Sequence, residues 1–231
     1  MRVQCTALCL VCMLASAAHG DVTLGTGGPN YDSVNGLLSD FQQSYGQVVG
    51  NEITLPFAGR ITSITVWGLY YNYKNYTNTP PEADNFTLRF HNIVGGDPDE
   101  SVAFEQNLGA GIRTFTGEAF SDLKIYKYEF QNLNIDVAQG TTLLSIINDT
   151  DNPQTDGYWH WVSANDWGNT WWRREKSQPT GQEITFYWTK GSVYDGDRAF
   201  ELTVVPVPAP GAALLAFIGL GMAGWVKRRV A

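Results

Sequence analysis

Residues 124–133 read "KIYKYEFQNL", and their reading decides the fold. Tyr126, Tyr128 and Phe130 fall on one side of an extended chain, and Lys127, Glu129 and Gln131 on the other. A period of two with aromatic residues on one face predicts a half-buried β-strand, because successive side chains of a strand point to opposite sides. The same alternation recurs along the chain. "DNFTLRFHNI" sets Phe86, Leu88 and Phe90 against Thr87, Arg89 and His91. "QEITFYWTK" sets Ile184, Phe186 and Trp188 against Glu183, Thr185 and Tyr187, and "RAFELTVV" sets Phe200, Leu202 and Val204 against Glu201 and Thr203. "RITSITVWGLYY", residues 60–71, is rich in β-branched and aromatic residues, and "TTLLSIIND" is a nearly continuous apolar run, as a core strand is.

Between these runs lie "GTGGPN", "VGGDPDE", "NDTDNPQTDG", "SQPTGQ" and "YDGD", whose Gly, Asn, Asp and Pro residues make turns. The one candidate helix, in "SVNGLLSDFQQSYG", is short and interrupted by Gly36. Many short strands with frequent turns predict an all-β fold, an antiparallel β-sandwich of jelly-roll type, over residues 21–205.

The two ends differ from this body. Residues 1–20, "MRVQCTALCLVCMLASAAHG", have a basic residue, an apolar run and small residues before a cut ahead of Asp21, the pattern of a secretory signal peptide. All three cysteines, Cys5, Cys9 and Cys12, lie there, so the exported body has neither disulfide nor thiolate. Of the 15 Lys+Arg residues, Arg2, Lys227, Arg228 and Arg229 lie in the end segments, whereas all 23 Asp+Glu residues lie in the body, whose net charge is therefore −12. A surface of that sign repels nucleic acid and anionic lipid.

Residues 206–231 form a tail of three parts. Val205, Pro206, Pro208 and Pro210 make a proline motif; an apolar run of 15 residues follows from Ala212 to Val226; Lys227, Arg228 and Arg229 close it. At ~1.5 Å per residue the run reaches roughly 23 Å, short of the ~30 Å hydrocarbon core of a bilayer. It reads as a short transmembrane-type helix that enters a membrane with its basic end on the cytoplasmic side. This order of motif, short helix and basic cluster resembles the sorting tail of the PEP-CTERM proteins, with Val-Pro-Ala-Pro-Gly at residues 207–211 in place of the usual Val-Pro-Glu-Pro. "ITSITVWGLYY", "DNFTLRF", "GTTLLSIINDT", "YWHW" and "DRAFELT" also resemble, in order, a recurrent β-sandwich passenger domain of that group. The resemblance implies export, transient docking of the tail in the inner membrane, cleavage by an exosortase-type enzyme, and release to the cell surface or extracellular matrix. It implies no activity.

Chemistry is sparse in the body. Two histidines remain, His91 and His160, with no cysteine ligand and no nucleophile-elbow motif. Acidic residues are abundant, but nothing singles out a catalytic pair, so a secreted polysaccharide hydrolase stands only as the alternative to a non-enzymatic surface protein. The unusual stretch is "GYWHWVSANDWGNTWWRR", residues 157–174, which holds five of the eight tryptophans. Trp159 and Trp161 share a strand face and read as core. Trp167, Trp171 and Trp172, with Asn169 and Arg173, read as a loop cluster whose flat rings and polar rim suit polysaccharide, although loop tryptophans also cap open sandwich ends. No cofactor is required. The acidic loops at residues 148–157 and 194–197 carry hard oxygen ligands suited to a structural calcium, but their spacing fits plain turns as well.

Overall fold

In the computed structural model the longest extended run is Gly59–Tyr71, and the rest of the sandwich is arranged around it. The structure describes residues 20–32, 36–40, 47–71, 78–148, 157–164, 171–176, 186–191 and 196–207. The strands, in chain order, are β1 Val22–Gly27, β2 Gly36–Leu38, β3 Gln47–Leu55, β4 Gly59–Tyr71, β5 Phe86–Val94, β6 Asp97–Pro98, β7 Phe104–Gly109, β8 Ile112–Phe120, β9 Leu123–Phe130, β10 Ile135–Val137, β11 Gly140–Asn148, β12 Tyr158–Val162, β13 Trp171–Lys176, β14 Phe186–Lys190 and β15 Phe200–Pro206. No helix occurs among the described residues, and all strand pairs are antiparallel.

Two sheets result. In the first, β15 and then β12 run along one side of β4, while β10 and then β9 run along the other; β1, β2 and β8 lie outside these. The second has the order β14-β13-β3-β11-β5-β6, with β7 also on β5. Their facing sides share one core, in which Ile61, Tyr128, Trp159 and Phe200 of the first sheet meet Ile53, Phe86, Leu88 and Ile146 of the second. Residues 124–133 behave as their alternation predicts: Tyr128 and Phe130 are buried, Tyr126 packs against the core, and Lys127 and Glu129 form an ion pair at 3.1 Å on the opposite face. That opposite face is not wholly wet. Ile125 joins Trp67, Leu69, Val162 and Ala199 in a second, smaller cluster.

β4 departs from strict alternation in a useful way. Opposite it, the register steps from Ser63↔Thr203 to Ile61↔Val204, so Thr62 is an extra residue, a β-bulge. The bulge puts Ile61, Ile64 and Val66 in the same core, where an unbroken strand would set Ile61 on the other face from Ile64. Bulges also interrupt β1 between Gly25 and Gly27 and β8 between Phe115 and Ala119, both at the margins of the first sheet.

The helix expected in "SVNGLLSDFQQSYG" is not formed at its centre: Gly36–Leu38 is β2, paired with His160, Trp161 and Val162 of β12. Gly36 allows this approach, since a Cβ there would stand 3.1 Å from the Cβ of His160. Three residues are too few to display a period, which is why the sequence pattern misses the strand.

His160 itself is held in the sheet, its Nδ1 2.8 Å from the Tyr158 carbonyl, to which it donates as the neutral tautomer. Burial lowers its pKa to about 4. The folded protein therefore favours the neutral ring. The stability this contributes is complete above the unfolded value of ~6.5 and is lost as the pH falls toward about 4. Acidification across that window is expected to cost about 2 kcal/mol through this residue. Urea titrations of wild type and His160→Gln at about pH 7 and about pH 4.5, either side of most of that window, check it: the pH sensitivity should be smaller in the variant.

Candidate functional site

The tandem tryptophans at 171–172 open β13, not a loop. Trp171 pairs with Asn51, Trp172 with Gly50 and Arg173 with Val49, so the expected loop cluster is corrected to a strand of the second sheet. The aromatic pair has strong strand propensity, and β3 offers it an edge to pair with. A loop cluster offering its rings to polysaccharide would expose them, but only 5% of the Trp172 surface is accessible. A strand alternates sides, so Trp171 and Trp172 occupy positions of opposite sense. Trp167 and Asn169 lie outside the described residues, as do residues 149–156 and 194–195 of the two acidic loops and the tail from Pro208 onward. Among the described residues, no group of three or more His, Cys, Asp or Glu could hold a metal ion, and no helix is long and apolar enough to cross a membrane.

What the structure assembles around Trp172 is a row across the outer face of the second sheet. Register pairs place Lys190, Trp172, Gly50, Ser145, Arg89 and Glu105 side by side on β14, β13, β3, β11, β5 and β7. Gly50 is needed here: an added Cβ would stand 2.7 Å from Ser145 Oγ and 2.8 Å from Leu143 Cγ. At one end Lys190 Nζ sits 6.0 Å over the Trp172 ring; at the other Arg89 Nε donates to Glu105 at 2.5 Å. In the neighbouring rows, Trp188 of β14 meets His91 of β5 edge-on, with ring centroids 5.0 Å apart and planes at 75°. Three strands lie between β14 and β5, and at ~4.8 Å per strand a flat sheet would hold these two backbones about 19 Å apart. The rings therefore close over an inwardly curled face.

Three polar atoms on this face are buried and make no hydrogen bond: Ser145 Oγ, Trp172 Nε1 and Trp188 Nε1. Buried polar groups are nearly always satisfied, so three of them on one face mark it as unusual. Sequence reading finds Trp172 but not Ser145, Gly50 or His91, which join it only through strand pairing. Trp188 reads there as an ordinary strand residue.

A second polar cluster links the sheets and is well bonded. Asp84, just before β5, accepts bonds from the Tyr70 hydroxyl, from Asn148 Nδ2 at 2.8 Å and from Arg113 Nη1 at 2.9 Å. The Tyr128 hydroxyl donates to Tyr70 at 2.8 Å, and Asn148 Oδ1 accepts from the Asn85 amide at 2.9 Å. Burial raises the Asp84 carboxyl above its ordinary value, against the opposing pull of its donors and of the Arg113 charge. Burial likewise raises Tyr70, reinforced by Tyr128 and Asp84. Both carboxylate oxygens are engaged, so this cluster pins the two sheets together. A third feature, a concavity of about 230 Å³ among Leu55, Phe90, Phe104, Val137 and Thr142, includes Asp136, whose carboxylate is held by Arg60 at 2.8 Å.

Comparison of the chain with protein-family models, with curated proteins and with solved structures finds no match.

Proposed function

We propose that the protein is an exported, non-enzymatic component of the cell surface or extracellular matrix, delivered by its tail and holding weak affinity for polysaccharide. The observation that carries this reading is the pairing of two end segments with one kind of body. A leader at residues 1–20 and a proline–apolar–basic tail at residues 206–231 bracket an antiparallel all-β body whose sequence has no cysteine. Such a body needs no oxidising compartment and survives transit across membranes without pairing errors. The chain passes repeatedly from one sheet to the other, as in β3, β4 and β5, which supports a jelly-roll arrangement. An exosortase-type enzyme cuts near Val205–Pro210 after the short apolar helix has docked in the inner membrane. Affinity for sugar rests on the tryptophans, of which Trp172 and Trp188 carry indole N–H groups without an acceptor.

Intact-mass measurement of protein released by producing cells tests the sorting part. The expected product has lost the leader and everything from the proline motif onward. A released form that still carries Lys227 to Ala231 would overturn it.

A further inference from the structure

We propose that the concavity bounded by β5, β7, β10 and the start of β11 is a binding site for one pyranose ring of a neutral sugar chain. This rests on the reading of the protein as a polysaccharide-binding surface component and adds a site away from the tryptophans.

The physical ground is how the facing sides of the two sheets change along their strands. On β5 the core-facing row runs Phe86, Leu88, Phe90 and then Asn92; on β11 it runs Ile146, Leu144, Thr142 and then Gly140. Apolar side chains at Asn92 and Thr142, which pair in register, would extend the core. An amide, a hydroxyl and a glycine leave it open instead, and a space of about 230 Å³ remains. Its floor is the buried Leu55 and Phe90 with the half-buried Phe104, the two phenyl rings 6.0 Å apart and tilted by 41°. Asn92 and Gln139 stand exposed on its rim, and the mouth is clear at Gly140, where an added Cβ would meet nothing within 4 Å.

Size and chemistry choose the ligand. The space is smaller than the ~300–1,000 Å³ pockets that enclose drug-sized molecules, so it suits a single ring whose neighbours in the chain stay in water. Each side-chain amide offers both a donor and an acceptor, as the hydroxyl groups of a sugar do, whereas the phenyl floor takes an apolar face. A pyranose presents both, C–H groups on its flat side and hydroxyls around its edge. Among the described residues that line the space Asp136 alone is charged, and Arg60 pairs with it at 2.8 Å. The lining holds no cation for an acidic sugar, and the net charge of −12 on the body repels one.

The test uses the full chain, labelled with nitrogen-15 and kept in a detergent without a sugar headgroup. The side-chain amide signals of Asn92 and Gln139 are assigned by Asn92→Ala and Gln139→Ala and followed together with the indole N–H signals. The probes are cellobiose, maltose, mannobiose and lactose as neutral sugars and methyl glucuronide as the acidic one. At least one neutral disaccharide is expected to bind in the millimolar range and move both amide signals, while methyl glucuronide moves neither. Asn92→Ala and Gln139→Ala should each weaken that binding about fivefold, the size of one lost hydrogen bond. Ala103→Trp, on the exposed lip, should fill the space and abolish binding. All three positions are exposed, so the melting temperatures should stay nearly unchanged. If a neutral sugar moves only indole signals, or binds all three variants as tightly as wild type, the site is wrong and the polysaccharide reading survives. If methyl glucuronide moves the two amide signals and the neutral sugars do not, the ligand class is wrong. If no probe moves any signal, the polysaccharide reading falls with the site.

Discussion

Gly68→Ala is expected to lower stability by about 3 kcal/mol and the melting temperature by roughly 6–12 °C. Gly68 lies in the middle of β4, paired with Trp161 on one side and with Tyr126 on the other. A Cβ placed on it would overlap Trp159 Nε1 and stand 2.5 Å from Trp159 Cε2. Trp159 has nowhere to retreat: it is fully buried, with Phe86 edge-on at 5.2 Å and Trp161 at 6.2 Å. One methyl group must therefore displace an indole, and with it the contact between the two sheets. Gly28→Ala is the control, since a Cβ there meets nothing within 4 Å, and it should change stability by less than ~0.5 kcal/mol. Thermal unfolding followed by circular dichroism reads both; equal midpoints for the two variants would show that the core yields more readily than its packing implies.

Asp84→Ala is expected to be as damaging, at about 3–5 kcal/mol near neutral pH. It removes an acceptor from Tyr70, Asn148 and Arg113 together: the buried Tyr70 hydroxyl loses its acceptor and the guanidinium its counter-charge, while Asn148 Nδ2 keeps only Tyr70 and Arg113 Nη1 only the Pro81 carbonyl. The acid range gives a sharper test with Asp84→Asn. The folded carboxyl is raised above its ordinary value by burial, so it binds its proton more tightly folded than unfolded. The stability that Asp84 contributes is thus greatest below the unfolded carboxyl range and declines as the pH rises through the raised folded value. Denaturant midpoints measured from about pH 3 to about pH 7 should show wild type losing ground to Asp84→Asn over that rise. The reverse trend would mean that Arg113 and the donors outweigh burial.

The strands whose period is long are legible in the sequence: β4, β5, β9 and β15 stand where alternation puts them, and "TTLLSIIND" is β11, the inner strand between β3 and β5. Trp159 and Trp161 are core, as their shared face implies. What escapes is information carried between distant residues. Nothing near Trp172 says that it will pair with Gly50, 122 positions earlier, and the neighbouring Gly168 and Asn169 argue locally for a loop. Asp84, Arg113 and Asn148 are ordinary residues apart; only the closure of β8 and β11 around the end of β4 makes them one cluster. Local chemistry reports the strand, and pairing decides which side chains become neighbours.

The bulge in β8 has a consequence for life at high density. Ile112, Phe115 and Phe120 are exposed on that margin, and a margin with greasy residues and open amides invites another molecule to extend the sheet. Between Phe115 and Ala119 the strand steps out of register, with Gly117 at φ +90°, so an incoming strand that matched the first half would be out of phase with the second. The step in register therefore disfavours continuous strand addition along this margin, the kind of growth that builds a fibril.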